Sequence, residues 1–402
     1  MIDGVRVFLS AVLPFLFVLP LVVVIHELGH FLVAKAFGVK IDRFSINFGR
    51  ALLKWRDRSG VEWRVGWIPL GGYVKFAGDV DASSVPDRKA LDALREEIRR
   101  TEGPGAEQRY FHFKPIWQRA LIVVAGPVAN FLLAIALFST LIGAFGEFAT
   151  PARITGVLPD TPAARAGFQP GDLIVRMDGR PVADFQDVTP YVLLRTGQPI
   201  SFVVDRGGRQ MTLTATPERR VIRDPLGNEV QMGRLGLENR SQPVRRRYDP
   251  LTAVAKGTER TFGVLDTTLT YLGRVVTGRE SADQLSGPLG IGNAARQVAE
   301  VGGQGGADFG QRLFGAAVSL LGLAAVISVG LGFMNLLPVP VLDGGHLAFY
   351  AYEAVARRPL GAAAQTLAYR AGLAMLLGLM LFATWNDLQR LRVFQVIGGL
   401  FS

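Results

Sequence analysis

The run Phe8 to Ile25 contains no charged residue and is long enough to enter a bilayer as a helix. It ends in His26-Glu27-Leu28-Gly29-His30, and that coincidence constrains the chain more than anything else in it. On a helix, positions i and i+4 lie on one face about one turn apart. Two imidazoles so placed can grip one metal ion, and Glu27 beside them can take a proton from a water held there. The chain has only four histidines, so this spacing is a rare accident if it is one.

The 402 residues suffice for two or three structural units. Hydrophobic residues make up 49% of them and charged residues 19%, a balance that fits membrane spans joined to soluble parts. A net charge of +10 raises nucleic acid as a partner. No nucleic-acid-reading motif is present, however, and the basic residues crowd beside apolar runs. The phospholipid bilayer, at its cytoplasmic leaflet, is their expected partner, and no nucleic acid is expected. There is no cysteine, which excludes disulfides and thiolate metal sites, so a metal must be held by His and carboxylate oxygen.

Residues 1–36 read as a first transmembrane helix, bent at Pro14 and Pro20. A cleaved signal peptide fits less well, because no small-x-small site closes the run and cleavage there would discard the histidines. Residues 37–117 are rich in Lys and Arg and so face the cytoplasm, which puts the N-terminus outside and His26 and His30 toward the cytoplasmic end of the span. Within them Val61 to Trp67 alternates at period two, and Leu70-Gly71-Gly72-Tyr73-Val74-Lys75-Phe76 follows a turn at Pro69. These two halves are expected to pair as a β-hairpin whose glycines permit close approach. His112 is assigned no chemistry. Residues 118–147 form a second span carrying Ala125-Gly126-Pro127-Val128-Ala129-Asn130. The small residues allow close helix contact, and packing is the expected role of Asn130.

Residues 148–245 read as a soluble domain with strand, small-residue helix, Pro170-Gly171-Asp172 turn, strand and Asp178-Gly179 turn. This pattern resembles a PDZ domain, in which a peptide adds as a strand to the sheet edge. The Gly-Leu-Gly-Phe-like loop of that family is missing at the front. Gly233, Leu235, Gly236 and Leu237 lie at the back and are the candidate peptide-binding loop of a circularly permuted domain. A small β-domain that only braces the membrane part is the plainer alternative. Residues 246–312 hold an amphipathic helix with Phe262, Leu265, Leu269, Leu272 and Val276 at helical spacing, then a linker whose glycines Gly302 to Gly306 mark a flexible stretch. Residues 313–346 form a third span, 347–368 a cytoplasmic loop with Arg357 and Arg358, and 369–402 a fourth span and tail.

The third span ends in Asn335-Leu336-Leu337-Pro338-Val339-Pro340-Val341-Leu342-Asp343-Gly344-Gly345-His346, where two prolines and two glycines forbid a plain helix. Catalytic zinc takes three protein ligands and leaves one position for water. Charge balance favours Asp343 beside His26 and His30, since two neutral imidazoles and one carboxylate leave a small residual charge in a low-dielectric interior. His346 stays open as a rival. Asn335 can donate to a carbonyl or an oxyanion, or simply cap the backbone.

Together these motifs resemble the site-2 protease family, and most nearly its bacterial regulator-of-sigma-E type. His26-Glu27-Leu28-Gly29-His30, Gly71-Gly72-Tyr73-Val74-Lys75, Ala125 to Asn130 and Asn335 to Gly344 carry the likeness, with Leu285-Ser286-Gly287-Pro288 and Asn386-Asp387 in support. The resemblance implies an α-helical polytopic membrane protein with four transmembrane helices, a membrane-associated β-hairpin and one soluble α+β PDZ domain. It implies a zinc metalloendopeptidase of the bacterial inner membrane, with its active site toward the cytoplasm and the PDZ domain in the periplasm. One Zn²⁺ per chain falls to His26, His30 and Asp343, and acid–base work to Glu27. Asn335 becomes a substrate contact, and Gly71, Gly72 and Tyr73 the edge that receives substrate. The implied substrates are single-span transmembrane proteins, anti-sigma factors or remnant signal peptides, with peptide or protein tails binding at the PDZ domain. There is room for one PDZ domain where the enterobacterial type has two. A non-catalytic PDZ-bearing receptor or scaffold needs no metal and is the competing class. A metal transporter is a third, since intramembrane His and Asp can mark an ion path.

Overall fold

A computed structural model describes residues 2–78, 88–182, 184–223, 229–278, 281–282 and 286–390. Leu285 lies outside them. The chain divides into two compact units, one formed by residues 1–139, 257–265 and 283–402 and the other by 140–256 and 266–282.

The first unit begins with α1 (Ile2–Ala36), which runs through both prolines. Then come β1 (Ile41–Arg56) and β2 (Glu62–Phe76), the surface helix α2 (Arg88–Glu102) and α3 (Ile116–Phe145). Four helical stretches among the described residues are long and apolar enough to cross a membrane: Val12–Ala36, Ile116–Phe145, Phe309–Asn335 and Ala363–Gln389. The chain is a membrane protein on that ground. Its packed interior is small-residue-rich, with Val18, Val22, Ala295, Leu320 and Ala324 in one cluster and Ala134, Phe138, Ala325 and Val329 in another. Without a hydrophobic drive between helices in lipid, close backbone approach through small side chains is what holds them.

The expected hairpin is corrected. The two alternating runs do not pair with each other; from Glu62 onward both belong to β2, and both pair with β1. Trp55 faces Trp63 and Lys54 faces Arg64, while Phe44 faces both Trp63 and Val74. Asn47 and Gly49, at φ 66° and 85°, turn β1 in its middle; residues 51–56 pair with 62–66, and residues 41–46 pair with both 62–65 and 72–76. Gly72 to Phe76 thereby becomes an outer strand whose register partners, Ile41 to Ile46, lie on one side only among the described residues.

The second unit is built from β3 (Glu147–Ala149), β4 (Gly156–Val157), α4 (Pro162–Arg165), β5 (Leu173–Met177), β6 (Arg180–Pro181), α5 (Phe185–Leu193), β7 (Ile200–Arg206), β8 (Arg209–Ala215), β9 (Glu218–Arg223), β10 (Glu229–Arg234), β11 (Leu237–Glu238) and β12 (Val244–Arg246). A four-stranded sheet runs β6-β5-β7-β8, and β9 with β10, β4 with β11 and β3 with β12 form separate pairs. Its core is Ile154, Phe168, Ile174, Ile200, Phe202, Val204 and Leu235. The pairing of β3 with β12 closes the unit at its base. The Pro-Gly-Asp turn has a physical reason: Gly171 sits at φ 100°, and the fully buried Asp172 accepts from Arg206 and from the Gln169 backbone.

The chain then runs through α6 (Pro250–Val276), α7 (Pro288–Gly303), α8 (Phe309–Asn335), α9 (Asp343–Ala356) and α10 (Ala362–Arg390). Two expectations change here. Gly302 and Gly303 are not a flexible linker but the last turn of α7, and a methyl at Gly302 would sit 2.8 Å from Ser319 Cβ of α8. The segment assigned to a loop, 347–368, is α9 as far as Ala356 and α10 from Ala362. The helix break after Asn335 holds, but it ends at Asp343, where the helix restarts. The paired motifs around Gly287 and Asp387 meet: α7 has no side-chain cap of its own, and the buried Asp387 of α10 accepts from Gly290 N at 2.8 Å.

Candidate metal centre

His26 and His30 project from the C-terminal third of α1, their ring centroids 4.8 Å apart and nearly perpendicular. Their Nε2 atoms are 3.2 Å apart. The break after α8 brings Asp343, first residue of α9, to the same point: its Oδ2 lies 3.2 Å from His26 Nε2 and 3.5 Å from His30 Nε2. One ligand atom from each residue lies within 4.8 Å of the others. Gly344 and Gly345 make this restart possible, because a side chain on either would collide with the carbonyls of Leu336, Leu337 and Val339.

These residues fit a metal ion. Ile122 O stands 2.8 Å from His30 Nδ1. A carbonyl only accepts, so Nδ1 carries the hydrogen and Nε2 turns its lone pair inward. Asp343 Oδ2 is buried and, though close to both rings, aligned with no hydrogen-bond donor. Lone pairs gathered at one point repel unless a cation joins them, and two imidazoles with one carboxylate are the donor set of catalytic zinc. His346 is placed elsewhere, with its Nε2 3.0 Å from Tyr369 OH.

Glu27 faces β2. Its carboxylate lies beside the Val74 backbone, and a methyl on Gly72 would sit 3.0 Å from Glu27 Cγ and 2.9 Å from Ser45 O. The one-sided strand thus runs past the carboxylate, and only a glycine lets it come so near. Tyr73 stacks on Phe48 at 5.9 Å and its hydroxyl accepts from Arg43. Gly71 sits at φ 149°.

Asn335 ends α8 and donates Nδ2 to Leu331 O at 3.1 Å, which is the capping arrangement. In the second unit Leu235 is in the core, its carbonyl accepting from Ala163 N, and Gly236, at φ 87°, accepts from Leu158 N. Gly233 packs against Val192 O of α5. Sequence spacing did not point to Asn130 as part of the site, yet Asn130 is fully buried and lies against His26, with its Nδ2 3.2 Å from His26 Nδ1.

The fold and the site define a class: a membrane protein with two histidines and an aspartate that could hold one metal ion, and a glutamate beside them. Residues 14–379 match peptidase family M50. Metalloprotease MmpA from Caulobacter vibrioides is 52% identical over 398 residues, covering 98% of this chain and 99% of that protein. Two proteins named "Putative zinc metalloprotease", from Agrobacterium fabrum and Mesorhizobium japonicum, are 43% and 44% identical, covering 94% and 95% of this chain and 96% and 99% of theirs. The chain therefore belongs to peptidase family M50, the site-2 protease family. Over 23% of its length the chain is also similar to the PDZ domain of an SdrC-like protein from Listeria innocua, at 19% identity and a TM-score of 0.19, covering 96% of that domain.

Proposed function

We propose that this zinc metalloprotease cuts peptide bonds within or beside the transmembrane segment of single-span membrane proteins in the bacterial inner membrane, with anti-sigma factors and remnant signal peptides as the substrate classes. The observation that carries it is the strand edge Gly72 to Val74 running past Glu27, beside His26, His30 and Asp343.

A transmembrane helix hides its carbonyls in its own hydrogen bonds, and water is scarce in the bilayer core. Val74 and its neighbours offer backbone groups to which an unwinding substrate segment can transfer those bonds. Gly72 keeps that strand within reach of Glu27. His26, His30 and Asp343 hold zinc, which when bound polarises the scissile carbonyl and supplies a nucleophile at neutral pH. Glu27 takes the proton of the attacking water and returns it to the leaving amine. The metal centre faces the cytoplasmic side and the PDZ-like unit the periplasm, in keeping with the basic residues of 37–117. There the segment Gly233 to Leu237 receives peptide or protein tails.

Purified Glu27→Gln is expected to keep its zinc and to cut a single-span substrate about 10²- to 10⁴-fold more slowly. Near-normal turnover by that variant removes Glu27 from the chemistry. A cut mapped by mass spectrometry to a soluble loop far from the span removes the intramembrane assignment.

A further inference from the structure

The second span carries a cluster of features that the proposed chemistry does not yet use. Gly126 lies against the imidazoles, where a methyl would collide with the His30 ring and come 2.9 Å from His26 Cε1. Pro127 has no N–H for the carbonyl of Val123, in the turn that also supplies the Ile122 carbonyl to His30 Nδ1. Asn130, one turn further, is fully buried with its amide against His26 Nδ1. Its backbone carbonyl accepts from the buried Ser328 of α8, and a methyl on Gly332 would sit 3.2 Å from its Cβ, so its backbone is held from behind.

A buried amide costs free energy unless it is hydrogen-bonded. The contact with His26 is the side-chain engagement that the described residues give Asn130, because Oδ1 is buried with no partner. For His26 Nε2 to offer a lone pair, Nδ1 must carry the hydrogen, and the atom facing Nδ1 must then accept. The two ends of an amide are nearly the same size and exchange by a half-turn about the last side-chain bond. That half-turn puts Oδ1 on the Nδ1 hydrogen.

We propose that Asn130 is a positioning residue of the metal centre, whose side-chain oxygen accepts the Nδ1 hydrogen of His26 and holds the Nε2 lone pair on the metal. Together with Ile122 it gives each imidazole its own acceptor from the same helix. The proposal rests on His26 being a zinc ligand. It predicts that the chemistry of position 130 matters more than its volume, the reverse of a helix-packing role.

The test compares the full chain in detergent with Asn130→Leu, close in volume but unable to accept, and Asn130→Asp, which can only accept. Zinc affinity is read by competition with a chromophoric chelator, and the melting of each metal-free protein is followed alongside. Asn130→Leu is expected to bind zinc about 10- to 100-fold more weakly, as losses of a ligand's hydrogen-bond partner do, while Asn130→Asp stays close to the unaltered protein. Asn130→Leu binding zinc as tightly as the unaltered chain overturns the proposal, and so does Asn130→Asp losing as much as Asn130→Leu. If the unaltered chain and His26→Ala bind zinc alike, the ligand assignment itself has failed, and Asn130 falls with it.

Discussion

Two carboxylates with buried oxygen atoms, one in each unit, are treated in opposite ways. Asp172 of the soluble unit is fully buried and fully engaged: Arg206 reaches Oδ1 at 2.6 Å and Oδ2 at 2.8 Å, and the Gln169 N–H reaches Oδ2 at 2.9 Å. Asp343 of the membrane unit is partly buried, faces two imidazoles, and leaves Oδ2 with no aligned donor. A carboxylate with donors from its own chain on both oxygens serves the fold. One that is buried, close to two ring nitrogens and still unsaturated is arranged for something the chain does not itself contain. Residue type does not separate the two cases; the inventory of hydrogen-bond partners does.

That contrast can be broken at either end. The largest effect is expected at Asp343. Asp343→Ala should weaken zinc binding by more than the roughly 10- to 100-fold that loss of an outer partner brings, stop peptide hydrolysis, and leave the soluble unit's unfolding unchanged. Zinc content equal to that of the unaltered chain would move the third ligand to another residue. Asp172→Asn should do the reverse. It should cost the soluble unit about 1.5–3 kcal/mol, the range for hydrogen bonds to a charged group, and leave zinc affinity as it was. Denaturant unfolding read from a probe in the soluble unit measures the first and chelator competition the second. A loss of zinc in Asp172→Asn would erase the distinction.

The smallest effect is in pH. Burial pushes the Asp172 carboxyl up, but the hydrogen bonds from Arg206 and the Gln169 N–H, with the Arg206 charge, outweigh it and hold the group below its ordinary value of 3.8. A depressed folded-state value means that the group's stabilisation is complete above the unfolded value and is lost as pH falls through the folded one. The soluble unit should therefore hold its stability down to about pH 4 and lose part of it below, and Asp172→Asn should lose less over the same interval. Equal slopes for the two proteins would take Asp172 out of the acid transition.

Some of this was legible in residues close together in the chain. The His26–His30 spacing and the soluble unit's turn signals are local, and the structure places them as the spacing predicts. The β-pairing was not legible. Val61 to Trp67 and Leu70 to Phe76 both alternate and are joined at a proline, which is the default sign of a hairpin. Their real partner, Ile41 to Arg56, also carries an alternating Phe44-Ser45-Ile46-Asn47-Phe48, but it is bent at Asn47 and Gly49, and its first half pairs with both parts of β2. The apolar setting of Asn130 pointed to packing, because sequence records only that an amide must face protein and not which atom it faces.

By itself the sequence determined what one helix can hold: two imidazoles on one face, a carboxylate beside them, and enough apolar length on either side of the soluble unit to make a membrane protein. Tertiary structure decided what meets that helix: Asp343 and not His346, a strand edge at Glu27, and an amide at His26. The reason is geometric. Within one helix the backbone repeat sets side-chain positions to within a turn. Between segments far apart in the chain only packing does, helped by Gly29, which leaves room for the Ala125 carbonyl, and by Gly126, which leaves room for the His26 and His30 rings.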